Sequence, residues 1–239
     1  MKSFFTKTVQ VIAMVIILSS SAFAQEISVG ADFVSRYVWR GFDLGSNAPS
    51  IQPTIEFTKG GFTAGFWGAY SFANPANLEE IDIYANYSIS LGESGSSLSL
   101  GIVDYTNPNS GTRMGSFANY DDPNGAGAHF IEVSAGISGP ESFPLSLALN
   151  MFVHNVQDNP IYFELGYSTS VGEVPLSLFV GGTPSDNAYY GTSGFSLINI
   201  GFTASKEIKV TESFSIPVFG TISLNPSSEN LFYVLGISL

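Results

Sequence analysis

The sequence contains no cysteine. This absence excludes disulfide frameworks, zinc–thiolate sites, cysteine nucleophiles and a lipid-modified N-terminal cysteine. Charge is also scarce, because charged residues make up 12% of the chain, whereas about 25% is usual in soluble domains. The net charge of −12 and the 8 Lys and Arg residues argue against nucleic-acid binding. An apolar fraction of 44% with 14% aromatic residues argues equally against a disordered chain.

The N-terminal segment 1–24 has the pattern of a cleaved secretory signal peptide. Lys2 and Lys7 precede an apolar run from Val11 to Leu18, and Ala22-Phe23-Ala24 supplies a small-residue cleavage site. The apolar run is too short for a spanning helix, which needs about 20 residues. We therefore predict an exported protein in which residues 25–239 form one β-barrel domain.

Beyond the leader, the chain alternates apolar and polar residues with a period of two. Between Ile81 and Leu91, the sequence IDIYANYSISL places every apolar odd-numbered position on one face. Such alternation predicts half-exposed strands, and no stretch has a helical period. The predicted strands, about twelve in number, cover residues 26–37, 50–59, 61–71, 79–91, 97–106, 128–138, 144–154, 160–170, 174–183, 194–205, 212–224 and 230–239.

Short and long connections alternate along this series of strands, with 155–159 as a short member of the long set. An even strand count with short turns at one end and longer loops at the other is typical of transmembrane antiparallel β-barrels. A soluble β-sandwich also alternates apolar and polar positions. The predicted strands are about 9–11 residues or longer, which suits a tilted crossing of a bilayer, and aromatic residues gather near strand ends. The prediction is an all-β, up-and-down transmembrane barrel.

Four stretches near the N-terminus resemble a known family. They are Ser35-Arg36-Tyr37-Val38-Trp39-Arg40-Gly41, Pro49-Ser50-Ile51-Gln52-Pro53, the glycine and tryptophan pattern of Gly61 to Gly68, and Glu80 to Tyr87. Together they resemble the TorF family of outer-membrane porins over residues 26–90, and the first stretch is the most specific. The last strand also resembles the assembly signal of outer-membrane proteins, although it ends in Leu239 where an aromatic residue is usual. The resemblance implies an outer-membrane barrel with a porin function.

The polar face of the predicted strands supplies the candidate lumen-lining residues. They are Asp32, Arg36, Glu56, Asp82, Asn86, Glu132, Asn150, His154, Glu164 and Asn199. Acidic residues predominate, so the lumen of a conducting barrel should prefer cations. Arg36 falls on the same predicted strand and face as Asp32, which favours either a charged constriction or a structural ion pair. Arg40 lies in the first long connection, where it is expected to anchor that loop.

The two histidines raise the question of catalysis. His154, on the polar face of its predicted strand, could in principle work with one of many serines, but no G-x-S-x-G elbow is present. A hydrogen-bonded lumen histidine is the favoured interpretation, and His129 is expected at a loop–strand junction. Residues 121–125 have the composition of a turn and fail the calcium-loop spacing. The prediction is a protein that is not an enzyme, with no catalytic, cofactor or metal site.

The expected function is a passive channel for small hydrophilic solutes in the cell outer membrane. Expected partners are outer-membrane lipid and lipopolysaccharide, the barrel-assembly machinery and small solutes, with no nucleic acid. Twelve strands lie between filled eight-stranded barrels and open 16–18-stranded ones, and inward aromatic rings would narrow the lumen. The predicted rings are Trp67, Tyr84, Tyr105, Phe152, Phe179, Phe219 and Phe232. The alternatives are therefore a non-conducting structural or adhesive barrel that presents surface loops, and a membrane-embedded hydrolase.

Overall fold

A computed structural model describes residues 25–72, 79–212 and 214–239. The predicted signal peptide lies outside the described residues. The strands are β1 (Gln25–Val34), β2 (Val38–Trp39), β3 (Phe42–Asp43), β4 (Ser50–Lys59), β5 (Phe62–Ser71), β6 (Glu79–Ser90), β7 (Ser97–Thr106), β8 (His129–Ser138), β9 (Leu145–His154), β10 (Ile161–Val171), β11 (Val174–Thr183), β12 (Ser196–Lys209), β13 (Ser215–Asn225) and β14 (Asn230–Ser238). One turn of 3₁₀ helix spans Pro108–Ser110.

All strands except β2 and β3 form one closed barrel, in which each strand pairs antiparallel with the next and β1 pairs with β14. This arrangement confirms the predicted all-β, twelve-stranded antiparallel barrel. Closure places every barrel strand between two neighbours. The seam is short, because β14 pairs only with the last residues of β1, Asp32 to Val34, whereas β4 pairs along the whole of β1. No helix in the described part of the chain is long and apolar enough to cross a membrane.

The connections alternate between the two ends of the barrel. At one end, called here the short-turn end, strands are joined by brief turns such as 60–61 and 172–173. At the other, the long-loop end, the connections include 35–49, 107–128 and 184–195. This alternation follows the pattern expected from the sequence.

The two faces of the barrel wall have opposite polarity. The outward side chains of β1 are apolar and solvent-accessible, with Ile27 71% and Val29 75% exposed. The inward face carries buried polar groups, among them Asp82, Glu132 and Asn199. This distribution is the reverse of that in a soluble domain, where large apolar side chains are mostly inside.

The first connection departs from the sequence prediction. β1 ends at Val34, whereas the prediction extended it to residue 37, and residues 35–49 fold into the barrel. Within this connection β2 and β3 pair as a two-residue hairpin, with Val38 opposite Asp43. We call residues 35–49 the plug. The sequence alternation continues from residue 26 to residue 37, past the end of β1 at Val34. The chain nevertheless leaves the wall there, because the plug side chains pack inside the barrel.

A second departure concerns His154. Glu132 lies opposite Phe152, but the next residue, Ile131, lies opposite His154, so β9 carries one extra residue in a bulge. Opposite residues of an antiparallel pair point to the same side of the sheet. Ile131 lies between the inward Phe130 and Glu132 and is therefore on the outer face, and His154 is aligned with it. The predicted lumen position of His154 is wrong, because a bulge breaks the alternation on which it depended.

Candidate functional site

The candidate site is the barrel lumen where the plug crosses it. The hairpin of the plug is closed by a hydrogen bond from the Leu44 N–H to the Tyr37 carbonyl oxygen at 2.9 Å. The Asp43 carboxylate accepts from the backbone N–H groups of Gly45 and Asn47 at 2.9 and 3.0 Å. Asp43 also lies 3.4 Å from Nε of Arg36. These contacts give the plug a defined shape of its own.

Arg40 joins the plug to the barrel wall. Its Nη1 donates to Oε2 of Glu132 at 2.6 Å, and its Nη2 donates to Oε1 at 2.8 Å. Nη1 also donates to the Tyr190 hydroxyl at 2.8 Å. This two-pronged geometry is the strongest form of arginine–carboxylate pairing. The side chains are 9% and 3% exposed, so the pair is screened little by solvent.

Aromatic rings surround the Arg40 guanidinium. Its carbon lies 4.3 Å from the ring centre of Trp39 and 4.4 Å from that of Tyr162. Ring faces attract a cation, and the attraction grows when water is excluded. Burial alone would lower the pKa of Arg40, but the hydrogen bond to Glu132 and the electrostatic attraction of Glu132, Tyr190 and Tyr105 together outweigh it, and the net pKa lies above the ordinary value. The guanidinium is therefore charged.

Two apolar clusters hold the remainder of the plug. Tyr37 and Leu44 pack with Ala69 and Trp67 of β5 on one side of the lumen. On the other side, Trp39 and Phe42 of the plug pack with Tyr162, Ile198 and Tyr190, the last from connection 184–195. Burial raises the pKa of Tyr190 to about 12, so its hydroxyl remains neutral beside Arg40. Both connections thus fold inward and narrow the same section of the barrel.

Gly41 marks the closest approach of the plug to the wall. Its φ is +79°, a left-handed conformation that side chains rarely adopt, and a Cβ there would lie 1.8 Å from the Ile198 carbonyl oxygen. The Asn225 side chain donates to the Gly41 carbonyl oxygen at 3.1 Å. Only glycine fits this position without displacement of the chain.

We expect Gly41→Ala to displace the plug from β12, because the new methyl group would meet backbone that cannot yield. Tryptophan fluorescence is the measurement, since the chain has only 2 Trp residues. Both of them, Trp39 and Trp67, pack against the cluster of Tyr37 and Ala69. The matched control is Gly60→Ala, which has a φ of +59° and nothing within 4 Å of the added Cβ. Equal spectra for the two variants would contradict the close approach.

On the short-turn side of the plug, the lumen holds a polar cavity of about 300 Å³. Within its lining, Asn199 donates to Glu164 at 3.2 Å and accepts from Ser223 at 2.7 Å. Elsewhere on the inner face, the Tyr84 hydroxyl donates to Glu56 at 2.8 Å. The inward ring of Phe179 lies close over Gly201, where a Cβ would stand 2.7 Å from the ring. This cavity can hold water and small polar solutes.

The structure brings most of the sequence-predicted polar residues to the inner face. Glu56, Asp82, Glu132, Glu164 and Asn199 lie there by their contacts or burial, and Asp32, Asn86 and Asn150 lie there by register. Arg36 lines the polar cavity in the lumen, but it lies in the plug beyond β1 rather than on the strand, and its partner is Asp43 rather than Asp32. Because residues 35–37 leave the barrel wall, the expected ion pair between Asp32 and Arg36 on one strand does not form.

Sequence reasoning also missed inward residues. It placed Arg40 in an anchoring role but gave no partner, and it left Glu80 out of the lumen set. Glu80 interacts electrostatically with Tyr37 of the plug. The inward aspartate two residues further on, Asp82, was the available signal, because alternation places Glu80 on the same face.

The histidines lie at the long-loop end. Nδ1 of His129 is 2.7 Å from Oδ2 of Asp104, and its Nε2 is 2.7 Å from the Met114 carbonyl oxygen. The Phe117 ring stacks on the imidazole with the ring centres 3.7 Å apart. His129 thereby ties connection 107–128 to the barrel at its expected junction. Nε2 of His154 is buried and has no hydrogen-bond partner among the described residues.

Comparison with known proteins gives the family. The sequence model of a bacterial protein family of unknown function, Gcw_chp, matches residues 19–207. The chain belongs to the Gcw_chp family. A comparison with curated proteins gives no match. The family assigns no activity, and the resemblance to TorF porins stays a prediction.

Proposed function

We propose that this Gcw_chp protein is an outer-membrane β-barrel that conducts small hydrophilic solutes through a constriction formed by the plug. The observation that carries the proposal is the reversed polarity of the wall, with exposed apolar residues outside and a polar lumen inside. In a bilayer every backbone N–H and C=O needs an internal partner, and a closed barrel supplies it. The predicted signal peptide and the alternating loop lengths support export and an outer-membrane location.

The charge of the lumen supports a preference for cations. Glu164 lines the polar cavity and Glu56 lies on the inner face, and neither has a basic partner among the described salt bridges. The two arginines that line the cavity, Arg36 and Arg40, are each paired with a carboxylate. Glu132 contributes little, because Arg40 neutralises it. A narrow lumen with low-dielectric walls concentrates ions of sign opposite to its lining.

A non-conducting barrel is the second candidate, and the buried Arg40–Glu132 pair favours it. A plug held to the wall by two charge-assisted hydrogen bonds and by the two apolar clusters would seal the lumen permanently. In that case the connections at the long-loop end would provide the binding function of the protein. Nothing in the described residues specifically supports the membrane-hydrolase alternative.

Conductance of the purified protein in planar bilayers separates these candidates. We expect small unitary currents and a cation-selective reversal potential under a KCl gradient. Glu56→Gln combined with Glu164→Gln should weaken the selectivity, whereas Glu93→Gln in a short turn should leave it unchanged. High salt should reduce the preference, because the Debye length falls from about 10 Å at 0.1 M to about 3 Å at 1 M. Anion selectivity would contradict the proposal, and absence of current would favour the non-conducting barrel.

A further inference from the structure

A second cavity, of about 250 Å³, lies at the long-loop end between the plug and the wall. Aromatic rings form most of its lining: Trp39 from the plug, Tyr105, Phe130 and Phe152 from neighbouring strands, and Tyr189 from connection 184–195. Four of these rings contact one another in series, with centre distances of 6.0 Å for Trp39–Tyr105, 5.7 Å for Tyr105–Phe152 and 5.0 Å for Phe152–Tyr189. Together they form a continuous aromatic wall.

Glu80 is the one charged residue among the described residues that line this cavity. Its carboxyl group interacts with Tyr37, and burial raises the pKa of Tyr37, so that neighbour stays neutral. Arg40 does not compensate Glu80, since both of its terminal nitrogens bond to Glu132. A carboxylate removed from water without a cationic partner is costly.

Asp82 is a second buried carboxyl group beside the cavity. It lies two residues from Glu80 on the same inward face, directly opposite the cavity-lining Tyr105. The side chain is only 6% exposed, and its Oδ1 has no hydrogen-bond partner within the described ranges. The section of the lumen next to the aromatic wall therefore holds two buried carboxyl groups with no basic partner among the described salt bridges.

We propose that this cavity binds a small organic cation, with its ammonium group between Glu80 and the aromatic rings and its alkyl part against the rings. Ring faces attract ammonium groups, most strongly where water is excluded. The carboxylate supplies a hydrogen-bond acceptor and the opposite charge. The cavity volume suits a molecule of a few heavy atoms. The site is separate from the polar cavity beyond the plug, and occupancy does not require that the barrel conduct.

The test compares two probes of equal length, n-butylammonium and 1-butanol, by ligand-observed NMR on the full barrel in detergent. At about pH 8 the amine carries its charge, while the alcohol is neutral. We expect the wild-type protein to bind butylammonium about tenfold more tightly than butanol. Because binding is measured without a membrane potential or current, failure here is distinct from failure of the channel proposal.

Variants locate the binding to the cavity. Glu80→Gln should remove the preference for the amine, and Glu79→Gln, on the opposite face of the same strand, should leave it intact. Phe130→Leu should weaken binding of the amine while retaining the carboxylate, which keeps the proposal testable if Glu80→Gln fails to fold. Equal affinity of the two probes, or an unchanged preference in Glu80→Gln, would overturn the proposal.

Discussion

Arg40→Gln should lower the free energy of unfolding by about 3–5 kcal/mol, because it leaves the Glu132 carboxylate buried without its cation. The effect should be large because Glu132 is 3% exposed and both of its oxygens accept from Arg40. Urea titration of the folded barrel in lipid, followed by tryptophan fluorescence, measures the loss. The two tryptophans report on the plug, since both pack against the cluster of Tyr37 and Ala69.

Arg36→Gln is the matched control for this loss. Arg36 lies in the same plug and also pairs with a carboxylate, but its side chain is 27% exposed and its contact with Asp43 is 3.4 Å. Pairs of this kind are worth about 0–1 kcal/mol. Similar losses for the two arginine variants would contradict the assignment of Arg40 as the anchor.

The double variant Arg40→Gln with Glu132→Gln tests the cause. Removal of both charges eliminates the unpaired buried carboxylate, so the double variant should be more stable than Arg40→Gln alone. Conductance gives an independent measurement, because release of the plug should raise the current of Arg40→Gln above that of the wild type. If Arg40→Gln were more stable than the wild type, or conducted a smaller current, the result would count against the plug as the constriction.

The sequence was sufficient to predict the barrel because its signals are local. Alternation along Ile81 to Leu91 assigns successive side chains to opposite faces of the sheet, and turn residues separate the strands. The predicted strands therefore match the barrel strands to within a few residues, with the largest differences at residues 35–37, at the end of β12 and at the start of β13. Strand pairing then follows if consecutive strands are neighbours in the barrel, as they are here.

The site could be predicted only in part, because its contacts are distant in sequence. Arg40 and Glu132 are separated by 92 positions, and no local pattern states that they meet. The bulge in β9 likewise depends on the pairing of two strands, so alternation alone placed His154 on the wrong face. Composition indicated an acidic lumen, but the neutralisation of Glu132 required the fold of the plug.

Leu149→Arg should destabilise the barrel by about 2–4 kcal/mol in lipid, the cost of a charge that faces the bilayer near its midplane. Leu149 is the fifth residue of β9 and is 48% exposed on the outer face. Its cross-strand neighbours are Ala135 and Phe163, so an arginine there would find no acceptor side chain opposite it. The choice of position matters: Ile83 also faces outward, but it lies opposite Asp104, which could pair with an introduced arginine.

Asn150→Arg is the control, since the adjacent residue carries the same change to the opposite face. Asn150 lies opposite Ser134 and Tyr162 on the polar lumen side, where a guanidinium retains water and acceptors. Folding yields and urea midpoints in lipid vesicles should therefore fall for Leu149→Arg and change little for Asn150→Arg. In detergent the difference should shrink, because a micelle lets the arginine reach water more easily than a bilayer does. Equal losses in lipid would mean that the outer face does not meet hydrocarbon, and the proposal of a membrane-spanning barrel would fail with that result.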